Sequence, residues 1–253
     1  MPRPKDSKLD FYLSRAQGMS KHSSDRIAKL LEVVSTLSAK KLLDIGCGDG
    51  SLSLLVQQVS GAKEVFGVEM SALAARQAKS RGIAASRMDI EKSPLPYKDR
   101  SFDLVLCGDL LEHIFNPSDV INEIRRVLKP KGYLVLTAPN LASWYNRLIF
   151  PLGFQPFSTA VSLEYPQAGK VKLFDYSETW RVSGWGGEHL RVMTLKAVKD
   201  LLRMHGFRVT KVKGAHGVFA HNRFYYRLIQ FADQMVCKIP SMATWFVVKA
   251  VKD

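Results

Sequence analysis

Apolar and polar positions alternate in blocks between Lys41 and about residue 140. Five short runs rich in leucine, valine and isoleucine have the length of strands: 41–46, 64–69, 84–88, 102–107 and 132–138. Between them, apolar residues recur at helical spacing in 50–60, 71–81 and 116–128. Strands that alternate with helices predict an α/β fold, with a parallel sheet covered by helices on both faces.

Both flanks of this core also carry secondary-structure patterns. Residues 1–40 have apolar residues at helical spacing, which predicts an amino-terminal helical cover. Three further elements are predicted after the core: a helix at 193–205, a strand at 207–213 and a last strand at 245–251. We therefore divide the chain into the helical cover and one α/β domain at 41–253.

Two insertions interrupt the strand–helix rhythm of this domain. Residues 141–190 follow strand five and are rich in aromatics, glycine and proline. Long loops of this kind are often functional, so we predict a lid over a substrate pocket. The second insertion, 218–243, contains the amphipathic, aromatic and basic segment Arg223–Lys238. Such a segment can pack on its own domain, bind a partner or lie on a membrane interface.

The first strand leads into a turn in which every second residue is glycine. Gly46, Gly48 and Gly50 follow the buried run and precede a helix. Glycine permits positive φ and close approach of a ligand, and the helix start offers free N–H groups. Asp44 lies within the strand, where an acid costs free energy unless it meets a partner. The spacing is GxGxG, whereas dinucleotide-binding proteins usually show GxGxxG, so the turn alone also fits a structural role.

Further polar residues follow the other strands. Glu69 ends the second strand, 19 residues after Gly50, where an acid can accept both hydroxyls of a ribose. Asp89 follows the third strand, and Asp109 follows the fourth. Because ligands of open α/β sheets bind beyond the carboxyl ends of the strands, these residues predict one shared site.

The order and spacing of four segments resemble those of the class I S-adenosylmethionine-dependent methyltransferases. These segments are the glycine turn, Glu69, Met88–Ile90 and Phe102–His113. The resemblance covers about residues 40–140, and it is nearest to the broad small-molecule group. That group includes the ubiquinone-type O-methyltransferases and the methyltransferases associated with methionine biosynthesis. The resemblance implies a Rossmann-like, seven-stranded, mostly parallel sheet whose last strand is antiparallel, with S-adenosylmethionine as the cofactor.

The same resemblance implies a set of cofactor contacts. The cofactor-binding residues would be Asp44, Gly46, Cys47, Gly48, Glu69, Met70, Asp89, Ile90, Gly108 and Asp109. Within this set, Glu69 would hold the ribose and Met70 would pack on the adenine. Asp89 and Ile90 would contact the adenine edge, and the last two residues would line the methionine end.

Methyl transfer from a sulfonium needs mainly proximity and alignment, and a base only where the attacking atom must lose a proton. We predict His113 and His189 as the catalytic residues that orient the acceptor or take that proton. Arg191 is close to His189 in sequence, and the two can meet an acidic or hydroxylated acceptor, with a structural hydrogen bond as the alternative. Tyr145 and Trp185 are predicted to line the acceptor pocket, with core packing as the alternative.

The spacing of Asp109, Glu112 and His113 places them on one face if the segment is helical. In quinone-biosynthesis O-methyltransferases and small-RNA 2′-O-methyltransferases, a similar acid-x-x-Glu-His cluster binds a divalent metal. Here the first acid is aspartate and a further ligand is not evident. We therefore assign no metal ligands from the sequence, and the alternative for Glu112 and His113 is that they structure the turn after strand four.

Composition bears on compartment and partners. The chain has 253 residues, 46% of them hydrophobic, and a formal net charge of +14, which favours anionic partners. A solubilising surface, an anionic membrane surface and RNA all remain open as explanations of this charge. No apolar run reaches the roughly 18 residues of a membrane span. Three distant cysteines give neither a disulfide framework nor zinc spacing, so we predict a cytoplasmic protein, with peripheral membrane attachment as a further alternative.

The combined hypothesis is an enzyme that methylates a small-molecule or lipid-linked acceptor, preferably on oxygen. The lid aromatics and the basic segment favour a hydrophobic or anionic acceptor. The alternatives are an RNA methyltransferase and a non-catalytic scaffold or membrane adaptor that keeps the fold, because fold does not fix function. The sequence leaves the oligomeric state open.

Overall fold

A computed structural model of the chain describes residues 24–162, 164–165, 167–171, 189–217 and 224–253. Its strands are β1 Lys41–Ile45, β2 Glu64–Glu69, β3 Ala84–Arg87, β4 Phe102–Gly108, β5 Leu128–Pro139, β6 Phe207–Ala215 and β7 Trp245–Lys252. Its α-helices are α1 Ser24–Val34, α2 Ser51–Ser60, α3 Ala72–Ser80, α4 Pro117–Val127, α5 Trp144–Ile149, α6 Leu195–Met204 and α7 Phe224–Val236. Two short 3-10 turns cover Leu111–His113 and Phe150–Leu152.

The seven strands form one sheet in the order β3-β2-β1-β4-β5-β7-β6. All neighbouring pairs from β3 to β5 are parallel, and β7 runs antiparallel to both β5 and β6. The predicted α/β, Rossmann-like sheet is therefore confirmed. The direction of strand succession reverses between β1 and β4, and in open sheets of this kind ligands bind at such a reversal.

The start of β5 differs from the prediction. The sequence pattern extends the preceding helix to 128 and begins the strand at 132, but the strand already begins at Leu128, which pairs with Phe102. A register shift follows, so that the next pair is Leu104 with Tyr133. Lys131 adopts φ +62° within this irregularity. A bulge thus accommodates Pro130 and Gly132 within the strand.

The core has one layer on each face of the sheet. On one face, Leu43 and Val105 belong to the cluster that includes apolar residues of α4 and α6. On the other face, Leu42 and Leu104 belong to the cluster that includes apolar residues of α1 and α2. Adjacent strand residues therefore point to opposite layers, as the pleat requires. Each fully buried leucine contributes about 2 kcal/mol relative to exposure.

Helix α1 is fastened to the sheet by polar contacts as well. The side chain of Asp25 accepts a hydrogen bond of 2.9 Å from the backbone N–H of His216, just after β6. Glu32 forms an ion pair with Lys213 of β6, which lowers the pKa of Glu32 against the opposing effect of burial. Helix α1 is the part of the predicted helical cover that the structure describes. Residues 1–23 lie outside the described residues.

The predicted lid stays a prediction, as does the division into domains. Its described part begins with α5 and the 3-10 turn Phe150–Leu152. Residues 172–188 lie outside the described residues. Within the described part of the chain, no helix has both the length and the apolar character to span a bilayer.

Candidate functional site

The turn after β1 has the positive φ angles that its glycines permit. Gly46, Gly48 and Gly50 have φ values of +75°, +54° and +82°. At Gly50 a side chain is also excluded by space, since a Cβ atom would lie 2.4 Å from Cδ1 of Ile83. The backbone N–H of Gly46 donates to the carbonyl of Val68 at 2.9 Å, which joins the turn to the end of β2.

Glu69 ends β2 and fixes this turn through its side chain. One carboxylate oxygen accepts from the N–H of Gly48 at 3.0 Å, and the other accepts from the N–H of Ser71 at 2.7 Å. A carboxylate oxygen has two lone pairs, so each oxygen keeps capacity for a ligand hydroxyl. The geometry therefore holds an anionic group beside the glycine turn.

Asp44 lies below the turn and is 3% exposed. Its carboxyl group accepts a hydrogen bond of 2.6 Å from the hydroxyl of Ser53 on α2. Burial raises the pKa of Asp44 to about 7, and the charge of Glu69 adds to this rise. Burial also raises the pKa of the neighbouring Cys47 thiol to about 12, so this thiol stays protonated near neutral pH.

A cleft of about 320 Å³ opens beyond the carboxyl ends of the strands. It is lined by Ile45, Gly46, Val68, Glu69, Met70, Met88, Asp89, Ile90, Glu91, Asp109, Leu110, His113 and Ile114. Seven of these were predicted from the sequence as cofactor-binding or catalytic residues: Gly46, Glu69, Met70, Asp89, Ile90, Asp109 and His113. Four other predicted cofactor residues, Asp44, Cys47, Gly48 and Gly108, lie in β1, the turn and β4 but do not line the cleft. Sequence reasoning missed the apolar wall residues Met88, Leu110 and Ile114, although each is next to or near a predicted residue.

The cleft is acidic in a basic protein. Four of its lining residues, Glu69, Asp89, Glu91 and Asp109, are acidic, whereas the formal net charge of the chain is +14. Hydrogen bonds from Lys92 and from the N–H of Glu91 lower the pKa of Asp89. Such a cleft favours a cationic ligand over an anionic one.

Asp109 follows β4 in an unusual backbone conformation, with φ +51°. Its N–H donates to the carbonyl of Thr137 at 3.0 Å, and its carboxylate accepts from the hydroxyl of Thr137 at 2.8 Å. The other carboxylate oxygen forms an ion pair of 2.5 Å with Arg26 of α1. The guanidinium of Arg26 lies 4.3 Å from the ring centre of Trp245. Asp109 is thus held from the sheet and from the amino-terminal helix together.

The expectation that Asp109, Glu112 and His113 share one face of a helix is wrong. Only a short 3-10 turn covers Leu111–His113, and Asp109 stands before it. The physical reason is the positive φ of Asp109 combined with its hydrogen bond to β5, which continues the strand pairing beyond Gly108. A helix cannot begin where the backbone still pairs with the sheet.

The turn nevertheless brings three ligand-type side chains together. Ligand atoms of Glu112, His113 and His189 all lie within 4.8 Å of one another. The N–H groups of Leu190 and Arg191 donate to the carbonyl of Glu112 at 2.8 and 3.0 Å, and these bonds hold the two segments together. Nδ1 of His189 lies 2.8 Å from the carbonyl of Ser158.

Glu112 is the most buried member of this group, with 1% exposure. Neither of its carboxyl oxygens has a hydrogen-bond partner among the residues that the structure describes. Burial raises the pKa of Glu112 well above its ordinary value, and the charge of Asp109 adds to the effect. Burial also lowers the pKa of His189. A buried carboxyl without a partner requires an explanation, such as a bound cation.

The predicted acceptor-binding residues lie at different places. Arg191 does not line the cleft; its Nε donates to the carbonyl of Phe115, and its guanidinium lies 5.3 Å from the ring centre of Phe115. Tyr145 lies on α5, packs against the rings of Trp144 and Phe157, and does not line the cleft. Burial raises the pKa of the Tyr145 phenol. Trp185 lies outside the described residues.

Comparison with known proteins connects this site to a family. Residues 43–136 match the family described as a methyltransferase domain. The chain is 34% identical over 126 residues to an uncharacterised protein of Methanocaldococcus jannaschii, with 50% of this chain and 52% of that protein covered. It is 36% identical over 109 residues to a ubiquinone biosynthesis O-methyltransferase of Pseudomonas aeruginosa, with 41% and 46% covered. The chain thus spans about half the length of the curated relatives it matches.

Solved structures agree on the fold. A methyltransferase of Haloferax volcanii in complex with the Trm112 methyltransferase activator superposes with a TM-score of 0.62 at 15% identity, covering 97% of this chain and 96% of that one. A protein of Thermotoga maritima described as an S-adenosylmethionine-dependent methyltransferase superposes with a TM-score of 0.57 at 19% identity, covering 98% and 99%. At these identities the likeness concerns the architecture alone.

Proposed function

We propose that this chain, which belongs to the class I S-adenosylmethionine-dependent methyltransferases, transfers a methyl group from S-adenosylmethionine to an oxygen atom of a small, hydrophobic acceptor. The observation that carries the proposal is the acidic cleft at the strand ends, because seven residues expected from the sequence line it. The cofactor carries a sulfonium and an ammonium group, and the carboxylates of the cleft complement these charges.

The residues present fit this cofactor. Glu69 would accept the ribose hydroxyls, since its carboxylate is already held by two backbone N–H groups at the cleft wall. Met70 is 67% exposed beside it and offers an apolar surface for the adenine. The positive φ of Gly46 lets the backbone face the methionine end without a Cβ atom in the way. Asp109 would face the ammonium group of that end, where its ion pair with Arg26 fixes its position.

The acceptor would enter on the side of Leu110, His113 and Ile114. Two of these wall residues are apolar, which supports a hydrophobic acceptor. His113 stands at the same wall, where it would align the acceptor oxygen or receive its proton. His189 lies behind it, with 4.8 Å between the ring centres, and would hold the ring of His113 in place.

We also propose a divalent cation at Glu112, His113 and His189. Two imidazoles and a carboxylate are typical ligands of zinc and manganese, and the orphaned oxygens of Glu112 support a cation there. If Nδ1 of His189 donates to the carbonyl of Ser158, its Nε2 is left as a metal ligand, an orientation common at metal sites. A bound cation would lower the pKa of an acceptor hydroxyl.

Two measurements test the central proposal. Calorimetry should give saturable binding of S-adenosylmethionine, and incubation of a cell extract with methyl-labelled cofactor should move label into a fraction extracted by organic solvent. Label that appears only in RNA would replace the small-molecule acceptor by a nucleic acid. Cofactor binding without any turnover would favour a non-catalytic scaffold, and absence of cofactor binding would overturn the proposal as a whole.

A further inference from the structure

Helix α7 has one face that is fixed firmly to the domain. Asp233 is fully buried and accepts hydrogen bonds from the indole N–H of Trp144 at 2.7 Å, from the hydroxyl of Thr244 at 2.8 Å and from the N–H of Gly217 at 2.7 Å. Cys237, one turn later, is also buried. These contacts fix which side of the helix faces solvent.

The opposite face of α7 is apolar and exposed. Leu228, Phe231, Met235 and Ile239 are 58%, 64%, 48% and 53% exposed. Their spacing of three, four and four residues places them in one stripe along the helix and the turn that follows it. A surface helix of a monomeric protein normally presents polar residues outward, so this arrangement indicates an interaction surface.

Positive charge borders the stripe. Arg227 and Lys238 are both exposed; Arg227 precedes Leu228 at one end of the stripe, and Lys238 precedes Ile239 at the other end, in the turn after the helix. Residues 224–239 contain one acidic residue, Asp233, and it is buried on the other face. The exposed face therefore combines large apolar side chains with cations and presents no anion in its described part.

A second exposed apolar segment belongs to the element that contacts α7. Leu148, Phe150 and Leu152 are 61%, 65% and 73% exposed. Leu148 lies on α5, and the other two lie in the 3-10 turn that follows it. Helix α5 is joined to the connection between α7 and β7, because Arg147 donates to the carbonyl of Ser241 at 3.0 Å. Arg147 is itself exposed and adds a cation near this segment.

We propose that the α7 face, defined by Arg227, Leu228, Phe231, Met235, Lys238 and Ile239, docks onto an anionic lipid bilayer with the helix lying in the interface. Aliphatic and aromatic side chains at this depth enter the boundary of the acyl chains, while flanking arginine and lysine side chains reach the lipid phosphates. The net charge of +14 attracts the protein to such a surface over a longer range. The occupant of this face must therefore combine an apolar region with anionic groups, and an anionic bilayer supplies both.

Vesicle sedimentation tests this proposal with the whole 253-residue chain. The protein should sediment with vesicles of phosphatidylcholine and phosphatidylglycerol, less with phosphatidylcholine alone, and less again when salt is raised. Phe231→Glu should weaken binding to anionic vesicles at least about tenfold. The matched control is Met204→Glu, which introduces the same charge at a position of 75% exposure on α6 and should retain binding. Because both positions are exposed, both variants should fold and should bind S-adenosylmethionine as the parent does.

Three results would overturn the proposal. The first is absence of sedimentation with anionic vesicles, and the second is an equal loss of binding in the Phe231→Glu and Met204→Glu variants. The third is concentration-dependent self-association that Phe231→Glu abolishes without any lipid binding, which would assign the stripe to a second copy of the chain. The proposed enzymatic function does not depend on any of these outcomes.

Discussion

Arg26 and Asp109 are 83 positions apart in sequence, yet their side chains form an ion pair of 2.5 Å at the edge of the cleft. Both side chains are nearly buried, at 13% and 8% exposure. The carboxylate also accepts from Thr137 of β5, so the pair joins the amino-terminal helix to the fourth and fifth strands. Removal of one partner from a buried ion pair destabilises the fold, because the remaining buried charge is then uncompensated.

Replacement of Arg26 by glutamine should therefore destabilise the fold and weaken cofactor binding together. We expect a loss of about 3 kcal/mol in the free energy of unfolding, measured by urea denaturation. The matched control is Arg208→Gln, since Arg208 is 61% exposed and its pair with Asp253 lies on the surface. A loss below about 0.5 kcal/mol for Arg26→Gln would show that the pair contributes no more than a surface contact.

Asp44 should make the stability of the protein depend on pH. Its carboxyl group ionises near pH 4 in the unfolded chain but at a pKa of about 7 in the fold, because it is buried. Between these values unfolding releases a proton, so stability falls as the pH rises and then levels off above about 7. The total effect is at most about 4 kcal/mol.

The Asp44→Asn variant isolates this effect because asparagine does not titrate. The free energy of unfolding of the parent minus that of the variant should decrease from pH 4 to pH 7 and then remain constant. The hydroxyl of Ser53 can still donate to the amide oxygen, so the variant should keep the local hydrogen bond. A constant difference over this range would mean that Asp44 ionises in the fold near its ordinary pKa.

Sequence reasoning succeeded where position along a strand decides the outcome. In a parallel sheet the carboxyl ends of the strands meet at one edge, so Glu69, Asp89 and Asp109 could be placed together from their positions after three strands. It failed where contact depends on how distant segments dock. The ion pair of Arg26 with Asp109 requires the packing of α1 on the sheet. The rings of His113 and His189 are in contact although the two residues are 76 positions apart in sequence.

Local patterns also misled in one case and left a second case open. The spacing of Asp109, Glu112 and His113 fits a helix, but the pairing of Asp109 with β5 prevents one. Apolar spacing in Arg223–Lys238 is compatible with both burial and surface display. The structure assigns both, because Asp233 anchors one face and leaves the large apolar residues on the other. Hydrophobic pattern alone does not say which face of a helix is buried.

Glu69→Gln should weaken S-adenosylmethionine binding by about 1–3 kcal/mol, or roughly 5- to 150-fold, because a charge-assisted bond to each ribose hydroxyl is lost. Calorimetry measures this directly. Glu64→Gln is the matched control, since Glu64 begins the same strand and contacts only Lys41 among the ion pairs of the described residues. Equal affinities of the two variants would remove Glu69 from the ribose-binding role.

His113→Ala should lower kcat while leaving the dissociation constant of S-adenosylmethionine within about twofold of the parent, if His113 acts on the acceptor. Loss of a positioned acid or base typically costs a factor of about 100 or more. His205→Ala serves as the control because His205 follows the last residue of α6 and does not line the cleft. An unchanged kcat in a folded His113→Ala protein would assign this side chain to the structure of the turn.

Glu112→Gln separates a cation ligand from a merely buried acid. Glutamine has nearly the same shape as the protonated carboxyl that burial favours, so the fold should be retained. If Glu112 is a ligand, the parent should bind about one equivalent of zinc or manganese, and the variant should bind it at least tenfold more weakly. Elemental analysis and metal titration calorimetry provide readouts that do not require the acceptor, and Glu64→Gln again controls for loss of a surface charge. A parent protein that binds neither metal would refute the cation proposal and leave His113 as the candidate base, because the cleft geometry does not depend on a metal.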